Sequence, residues 1–302
     1  PMSPAAGVLN YGQGLFEGMK AYKTKDQRTV LFRPEINAQR IIEGCKRLCI
    51  PPIPEKLFLE AITSVTKANL DYIPPYQEEP TARGALYLRP LVWGTGAVLG
   101  VKPAPSYTFL VFACPVGPYF KGGMQPIKLK ITKDYHRAAI GGTGSIKAIG
   151  NYAVGMYPAT IAKKEGLNEI LYLDSQNNLY LEEVGSANFF CRKGNTLITP
   201  ELDGCILSGV TRRSVIQLSQ ERLQLKVEER KVKLQEALEA DEAFCTGTAV
   251  VISPIGSIHF ENKDYLINEG KIGATSQKLY QTLLAIQHGV EPDSCNWLYP
   301  IK

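Results

Sequence analysis

Apolar residues of this chain recur at helical spacing in some stretches and at strand spacing in others. In "RPEINAQRIIEGCKRLCIPP", Ala38, Ile41, Ile42, Cys45, Leu48 and Cys49 share one helical stripe. Pro34 suits a first turn and Pro51-Pro52 stop the run, so a helix is predicted between them. "EKLFLEAITSVTKANLDY" predicts a second helix. "GALYLRPLVW" and "YTFLVFACPV" are dense in apolar residues and predict buried strands. The glycines and prolines of "GPYFKGGMQP" predict a loop, and a lobe boundary is placed there.

The pattern changes beyond that loop. "IKLKI" alternates, with Ile127, Leu129 and Ile131 on one face and lysines on the other. "YAVGMYPATIAKKEG" predicts a helix ending at Gly166. "EILYLDSQNNLYLEEV" predicts a hairpin with a polar turn. "LSGVTRRSVIQLSQERLQ" predicts a turn leading into a helix, and "LQEALEA" a short helix. "EAFCTGTAVVISPIGSIHF" reads as strand, glycine-containing turn and strand, and "SQKLYQTLLAIQHG" as a closing helix. No internal repeat or low-complexity tract is present. The class is α+β in two lobes, with a small lobe over 1–117, an interdomain loop over 118–126 and a large lobe over 127–302.

Composition narrows the function classes. The 302 residues suffice for two lobes, and 44% hydrophobic with 21% charged residues is ordinary globular usage. The net charge of +5 is thinly spread, and Lys163-Lys164 and Arg212-Arg213 are too short for a nucleic-acid stripe. Small anionic ligands suit this balance. No run approaches the roughly 18 apolar residues of a membrane helix, so neither nucleic acid nor membrane is an expected partner. "PMSPAAGVLNYGQG" has no signal-peptide pattern. The cysteines are scattered without a C-x-x-C pair, and Cys45 and Cys49 suit helix packing. His136, His259 and His288 lie far apart. No metal site and no disulfide framework is expected, which points to a reducing compartment.

"GGTGSIKAIGNY" sets Lys147 among glycines. A phosphate-binding P-loop would need G-x-x-x-x-G-K-[ST], and Ile146 and Ala148 stand at the wrong places for it. Glycines let a flat ligand approach the backbone. A lysine desolvated there would have a lowered pKa and act as an amine nucleophile suited to a Schiff base; the alternative is a solvated turn lysine. In "LYLEE" a period of two puts Leu179, Leu181 and Glu183 on one face. If that face is buried, Glu183 needs a cationic or hydrogen-bonding partner, a pyridinium nitrogen or an arginine. If the strand ends at Leu181, both glutamates are exposed. "LSGVTRR" offers the Val210 and Thr211 N–H groups at a helix start, where an anion is favoured. "CTGTAVV" offers the hydroxyls of Thr246 and Thr248. Both turns also suit simple capping. Arg40, Arg89 and Arg137 are anion-contact candidates, although such arginines are more often surface or salt-bridge residues, and helical periodicity places Arg40 away from the apolar stripe, on a solvated face.

Taken in order, "LNYGQGLFEGMKAY", "LFRPEINAQR", "LYLRP", "GTGAVLGV", "CPVGPYF", "HRAAIGGTGSIKAIGNY", "LEEVGSANFF", "LSGVTRRS" and "CTGTAVV" resemble a branched-chain amino acid aminotransferase, a fold-type IV pyridoxal-phosphate enzyme, with the plant-type members nearest. Each motif is weak alone, but their order is specific and the likeness covers nearly the whole chain. The resemblance implies a small α/β lobe and a larger cofactor-binding lobe with a β-barrel-like core. It implies that Lys147 holds pyridoxal 5'-phosphate as a Schiff base and shuttles the proton. Glu183 then faces the pyridine nitrogen, Tyr152 the phenolic oxygen, and Ser186 lies near the pyridine edge. Arg40, Arg137, Val210, Thr211 and Thr248 fall on phosphate-binding positions. Tyr11, Phe16, Tyr87, Val101, Tyr119, Thr248 and Ala249 map to the substrate pocket, and Arg89 to the residue that accommodates the distal carboxylate of glutamate.

The implied reaction is ping-pong transamination between leucine, isoleucine or valine and 2-oxoglutarate, giving branched-chain 2-oxo acids and L-glutamate. The implied assembly is a homodimer with a shared pocket. The runners-up are a methionine-related or D-amino acid aminotransferase and an aminodeoxychorismate lyase; from another class, a phosphate-binding module without chemistry. The family carries a further segment before "LNYGQG", where any transit peptide would lie. A soluble, intracellular protein is expected, in plastid or mitochondrion if eukaryotic and otherwise cytoplasmic. Some relatives carry a redox C-x-x-C after the "GTA" turn; Val250 and Ser253 stand there, so no thiol control is expected at that turn.

Overall fold

The computed structural model describes residues 1–118 and 123–302. Contacts group it into two compact units. The first takes Pro1–Pro118, Ile146–Gly150 and Leu284–Lys302, and the second takes the remaining described residues. A boundary over 118–126 alone does not describe this grouping, because two later segments are built into the first unit. Leu15 forms a β-bridge with Ala148, and the C-terminal strand Leu298–Pro300 pairs with residues 30–32.

The first unit contains α1 (Gly7–Tyr11), β1 (Gly14–Phe16), β2 (Met19–Lys23), β3 (Thr29–Phe32), α2 (Pro34–Arg47), α3 (Glu55–Ala68), β4 (Ala85–Gly94) and β5 (Tyr107–Val116). β4 organises the sheet: β1 and β2 pair with successive parts of it, β5 pairs along its whole length, and every pairing is antiparallel. Leu86, Leu88 and Val92 turn into a core shared with Ile41, Cys45, Phe58 and Ile62. Tyr87, Arg89, Leu91 and Trp93 alternate onto the half-buried opposite face.

Two expectations are corrected here. β5 is not a buried strand, because among the described residues it pairs with β4 alone, and Leu110 and Phe112 on its outer face are exposed. α2 ends at Arg47, so Leu48 and Cys49 lie beyond it, and Cys49 is exposed with positive φ rather than packed on the stripe.

The second unit holds β6 (Ile127–Ile131), α5 (Met156–Lys164), β7 (Glu169–Leu173), β8 (Leu181–Val184), β9 (Ala187–Lys193), β10 (Thr196–Thr199), α6 (Val210–Glu221), β11 (Lys226–Glu229), α7 (Leu234–Leu238), β12 (Glu242–Gly247), β13 (Val251–Phe260) and β14 (Lys263–Leu266). The short α4 (Ile149–Ala153) precedes α5, and α8 (Ala274–Gln287) follows β14. Strands β9, β12, β13, β6, β7 and β8 pair in that order, and β8 pairs back onto β9, closing a barrel. Its apolar cluster includes Leu129, Leu171, Leu173, Phe189, Ile255 and Ile258.

The helix expected over "YAVGMYPATIAKKEG" is two helices, α4 and α5. Pro158 has no N–H to give to Val154 and its ring crowds that carbonyl, so one helix cannot run through. The β7–β8 turn is tied by Asp174, whose carboxylate accepts from the N–H groups of Asn177, Leu179 and Tyr180 at 2.8, 2.8 and 2.7 Å. Leu179 therefore belongs to the turn and is exposed, off the strand face expected to carry it.

Candidate active site

Lys147 lies in the segment built into the first unit. Ile146 and Ala148 on either side are buried in that unit's core, which leaves the lysine on the opposite side. Its backbone is fixed by the Phe16 N–H, which donates to the Lys147 carbonyl at 3.2 Å. The Lys147 Nζ stands 4.5 Å from the centroid of the Phe16 ring. The lysine sits in a turn and is half-buried, with its amine over an aromatic ring.

The guanidinium of Arg89 also lies 4.5 Å from the Phe16 ring centroid, and it donates to the Tyr87 hydroxyl at 2.9 Å. β1 and β4 thus bring Phe16, Tyr87, Arg89 and Lys147 into one cluster. A Cβ at Gly18 would overlap the Tyr87 hydroxyl, so the glycine of "FEG" makes room for it. Val101 is 87% and Tyr11 40% exposed, the latter donating to the Leu99 carbonyl; the first unit does not enclose them. Tyr119 lies outside the described residues.

Arg40 is not on a solvated face. It donates from Nε and Nη2 to the two carboxylate oxygens of Glu17 at 2.7 Å each, and Asn37 Nδ2 donates to the same carboxylate at 2.8 Å. α2 therefore buries a polar edge, Asn37 and Arg40, as well as its apolar stripe. Glu17 escapes a reading by periodicity because it sits in the β1–β2 connector, where neither repeat applies. Its one signal is a lone acid between Phe16 and Gly18 in an apolar stretch.

In the second unit Glu183 is 2% exposed, which removes the alternative that the strand ends at Leu181. Its Oε1 accepts from Asn188 Nδ2 and from the Leu207 N–H, both at 2.9 Å. Its Oε2 is 3.1 Å from Arg137 Nη2. Arg137 also donates to the carbonyls of Gly144 and Cys205, while its Nε is buried without a hydrogen-bond partner. The β8–β9 hairpin sets Asn188 directly opposite Glu183. The two-residue turn Gly185-Ser186 is the sequence signal that could have revealed this pairing.

Val210 and Thr211 open α6, where the first N–H groups have no intrahelical acceptor. A Cβ at the N-cap Gly209 would overlap Asn188 Oδ1, so the helix start can approach the Glu183 network closely. A cavity of about 450 Å³ in this unit is lined by Arg137, Asn151, Tyr152, Tyr172, Gly185 and Ser186. Thr248 is half-buried and Ala249 exposed in the turn after β12. The unpaired Arg137 Nε, the open helix start and the buried carboxylate fit a group with a phosphate at one end and a basic ring nitrogen at the other.

The chain matches the family described as amino-transferase class IV over residues 14–258. It is 50% identical to branched-chain-amino-acid aminotransferase 5, chloroplastic, of Arabidopsis thaliana, over 98% of this chain and 70% of that protein. It is 46% identical to branched-chain amino acid aminotransferase 1, mitochondrial, of Humulus lupulus, over 99% and 75%. The crystal structure of the branched-chain amino acid aminotransferase from Thermobaculum terrenum in its PLP-bound holo form superposes with a TM-score of 0.81 at 25% identity, covering 96% of this chain and 89% of that one. The chain belongs to the class IV aminotransferases, as a fold-type IV branched-chain amino acid aminotransferase.

Proposed function

We propose that this enzyme exchanges amino groups between branched-chain L-amino acids and 2-oxoglutarate with pyridoxal 5'-phosphate, and that the residues above divide the work as follows. Bound pyridoxal 5'-phosphate supplies an electron sink for the bonds of the substrate's α-carbon. Lys147 Nζ would hold the cofactor in the resting enzyme and would move the proton at the substrate's α-carbon. Glu183, oriented by Asn188 and the Leu207 N–H, holds a proton at the pyridine nitrogen. Tyr152 donates to the phenolic oxygen and Ser186 lies at the ring edge. Arg40, Arg137, Thr248 and the N–H groups of Val210 and Thr211 hold the phosphate.

The observation that carries the substrate reading is the Phe16 cluster, where the lysine amine and Arg89 approach one aromatic ring. An aromatic wall suits an aliphatic side chain, and a guanidinium beside it meets a second carboxylate. The family likeness supports substrate-contact roles for Tyr11, Tyr87, Val101, Tyr119 and Ala249, and the exposure of Tyr11 and Val101 supports a homodimer in which a second copy covers them. The reaction needs only small-molecule partners. Among the described residues no helix is long and apolar enough to cross a membrane, and the organelle names of the relatives support a plastid or mitochondrial location.

The test is the visible spectrum of the protein reconstituted with pyridoxal 5'-phosphate. A band should form, and L-leucine alone should bleach it with release of one equivalent of 2-oxo acid. No band, or a band indifferent to L-leucine, overturns the reading.

A further inference from the structure

β8 does not alternate regularly. Leu171 pairs with Val184 and Leu173 with Leu181, so two residues of β8, Glu182 and Glu183, stand opposite one residue of β7. This is the count of a β-bulge, a device that re-aims side chains beside active sites. Both glutamates are consequently buried, Glu182 at 3% exposure and Glu183 at 2%. Glu183 spends its oxygens on Asn188, the Leu207 N–H and Arg137. Glu182 keeps a buried Oε2 with no hydrogen-bond partner.

We propose that Glu182 is a positioning residue for Glu183, whose proton decides how much of the Arg137 charge Glu183 receives. This rests on the reading of Glu183 as the carboxylate at the cofactor's ring nitrogen. Protonated, Glu182 leaves the guanidinium to Glu183. Ionised, it competes for Arg137 and adds negative charge beside Glu183. Arg137, Asp203, Glu183 and Cys205 are the groups that act on Glu182. It also borders a cavity of about 30 Å³, the room of one water, whose other charged lining residues are Asp174, Glu201, Asp203 and Lys231. Burial is the main influence and pushes the Glu182 carboxyl up to about 7, Arg137 opposes it, and Asp203 and Glu183 reinforce it. The exchange therefore falls near neutral pH.

Two measurements test this. In the full chain before cofactor is added, carboxyl-labelled glutamate followed by NMR should show a second inflection of Glu183 near pH 7. Glu182→Gln should remove that inflection. A Glu183 curve identical in both proteins, or a Glu182 that titrates in the ordinary carboxylate range, overturns the proposal. In the reconstituted enzyme, the pH midpoint of the visible band should be lower in Glu182→Gln by about 0.5 unit, with Glu182→Asp restoring part of the difference. A merely structural Glu182 would change stability and leave that midpoint in place. An unchanged midpoint with an intact band sinks the proposal and leaves the transaminase reading standing. If no band forms even in the wild type, the transaminase reading fails, and the Glu183 titration still decides the coupling.

Discussion

Each unit contains a buried arginine–glutamate pair, and the two are built differently. Arg40 grips Glu17 through two donors at 2.7 Å, with Asn37 and the Gly18 N–H on the same carboxylate. Arg137 Nη2 stands 3.1 Å from Glu183 Oε2 and its Nε has no hydrogen-bond partner, while Asn188 and the Leu207 N–H donate to Glu183 Oε1. The first pair is closed on itself: its acid fixes the direction of the arginine. In the second, the acid is held independently of the arginine, and the arginine keeps a donor to give. Both arginines are proposed for the phosphate; Arg40 is aimed by its own unit's acid, whereas Arg137 is tied to Glu183.

The largest effect expected lies outside both pairs. Lys147→Ala removes the amine and leaves Ile146 and Ala148 in the core. Turnover of L-leucine should fall on the order of 10⁴-fold with an unchanged thermal midpoint; appreciable residual transamination would falsify the assignment of the lysine.

The pairs themselves come next. Glu183→Gln leaves Arg137 without its counter-charge and should cost about 3 kcal/mol of stability, seen in chemical denaturation. The L-leucine half-reaction should slow about 100-fold while cofactor stays bound. Glu17→Gln should cost a similar stability for the same reason, but its kinetic signature differs. It frees the direction of Arg40, so cofactor should dissociate more readily while the rate of the saturated enzyme holds. Were both variants to slow the saturated half-reaction equally, the contrast between a closed and an open pair would be wrong.

The two pairs also differ in how far the sequence exposes them. Glu183 is within reach, because a strand pattern with an acid on its apolar face demands a partner. The details are not, since a bulge at Glu182-Glu183 changes the alternation without changing residue types, and Leu179 is drawn into the turn by Asp174. Arg40 is misplaced by a helical wheel because the wheel scores one helix by its apolar residues, while the acid that buries Arg40 comes from the connector between β1 and β2. β5 shows the same limit: its composition suits a buried strand, and only the sheet order reveals that it is an edge. The barrel closure likewise depends on the β8–β9 pairing, a tertiary fact. Lys147 is ambiguous in isolation, and its neighbours Ile146 and Ala148, which anchor it, read as ordinary small and apolar residues.

Gly18→Ala tests the Phe16 cluster of the first unit at smaller amplitude. The new methyl group would displace the Tyr87 hydroxyl and with it the contact to Arg89. KM for 2-oxoglutarate should rise about tenfold, the scale of one charge-assisted hydrogen bond, while KM for L-leucine stays within about twofold. Equal changes for both substrates would mean that Arg89 does not read the second carboxylate.

The smallest effect is a difference in pH response. In the first unit, burial pushes the His288 imidazole from 6.5 down to about 4, although its Nδ1 lies 3.0 Å from the Lys23 carbonyl. The Arg83 and Lys20 charges add to the depression. A depressed imidazole contributes stability that is present above pH 6.5 and lost as pH falls through about 4. Glu182 in the second unit has the opposite sign. Its carboxyl rises from 4.5 to about 7, so its contribution is full below pH 4.5 and lost as pH rises through about 7. Glu182→Gln mimics the protonated acid, and at about pH 5 it should match the wild type in urea. At about pH 8 it should be more stable by about 3 kcal/mol, because the wild type alone then buries a second charge beside Glu183. His288→Asn should do the reverse, relieving instability only on the acid side. A Glu182→Gln gain that is equal at both pH values would show that the Glu182 carboxyl titrates alike in the folded and unfolded chain, so that the second unit has no base-side loss to set against the first.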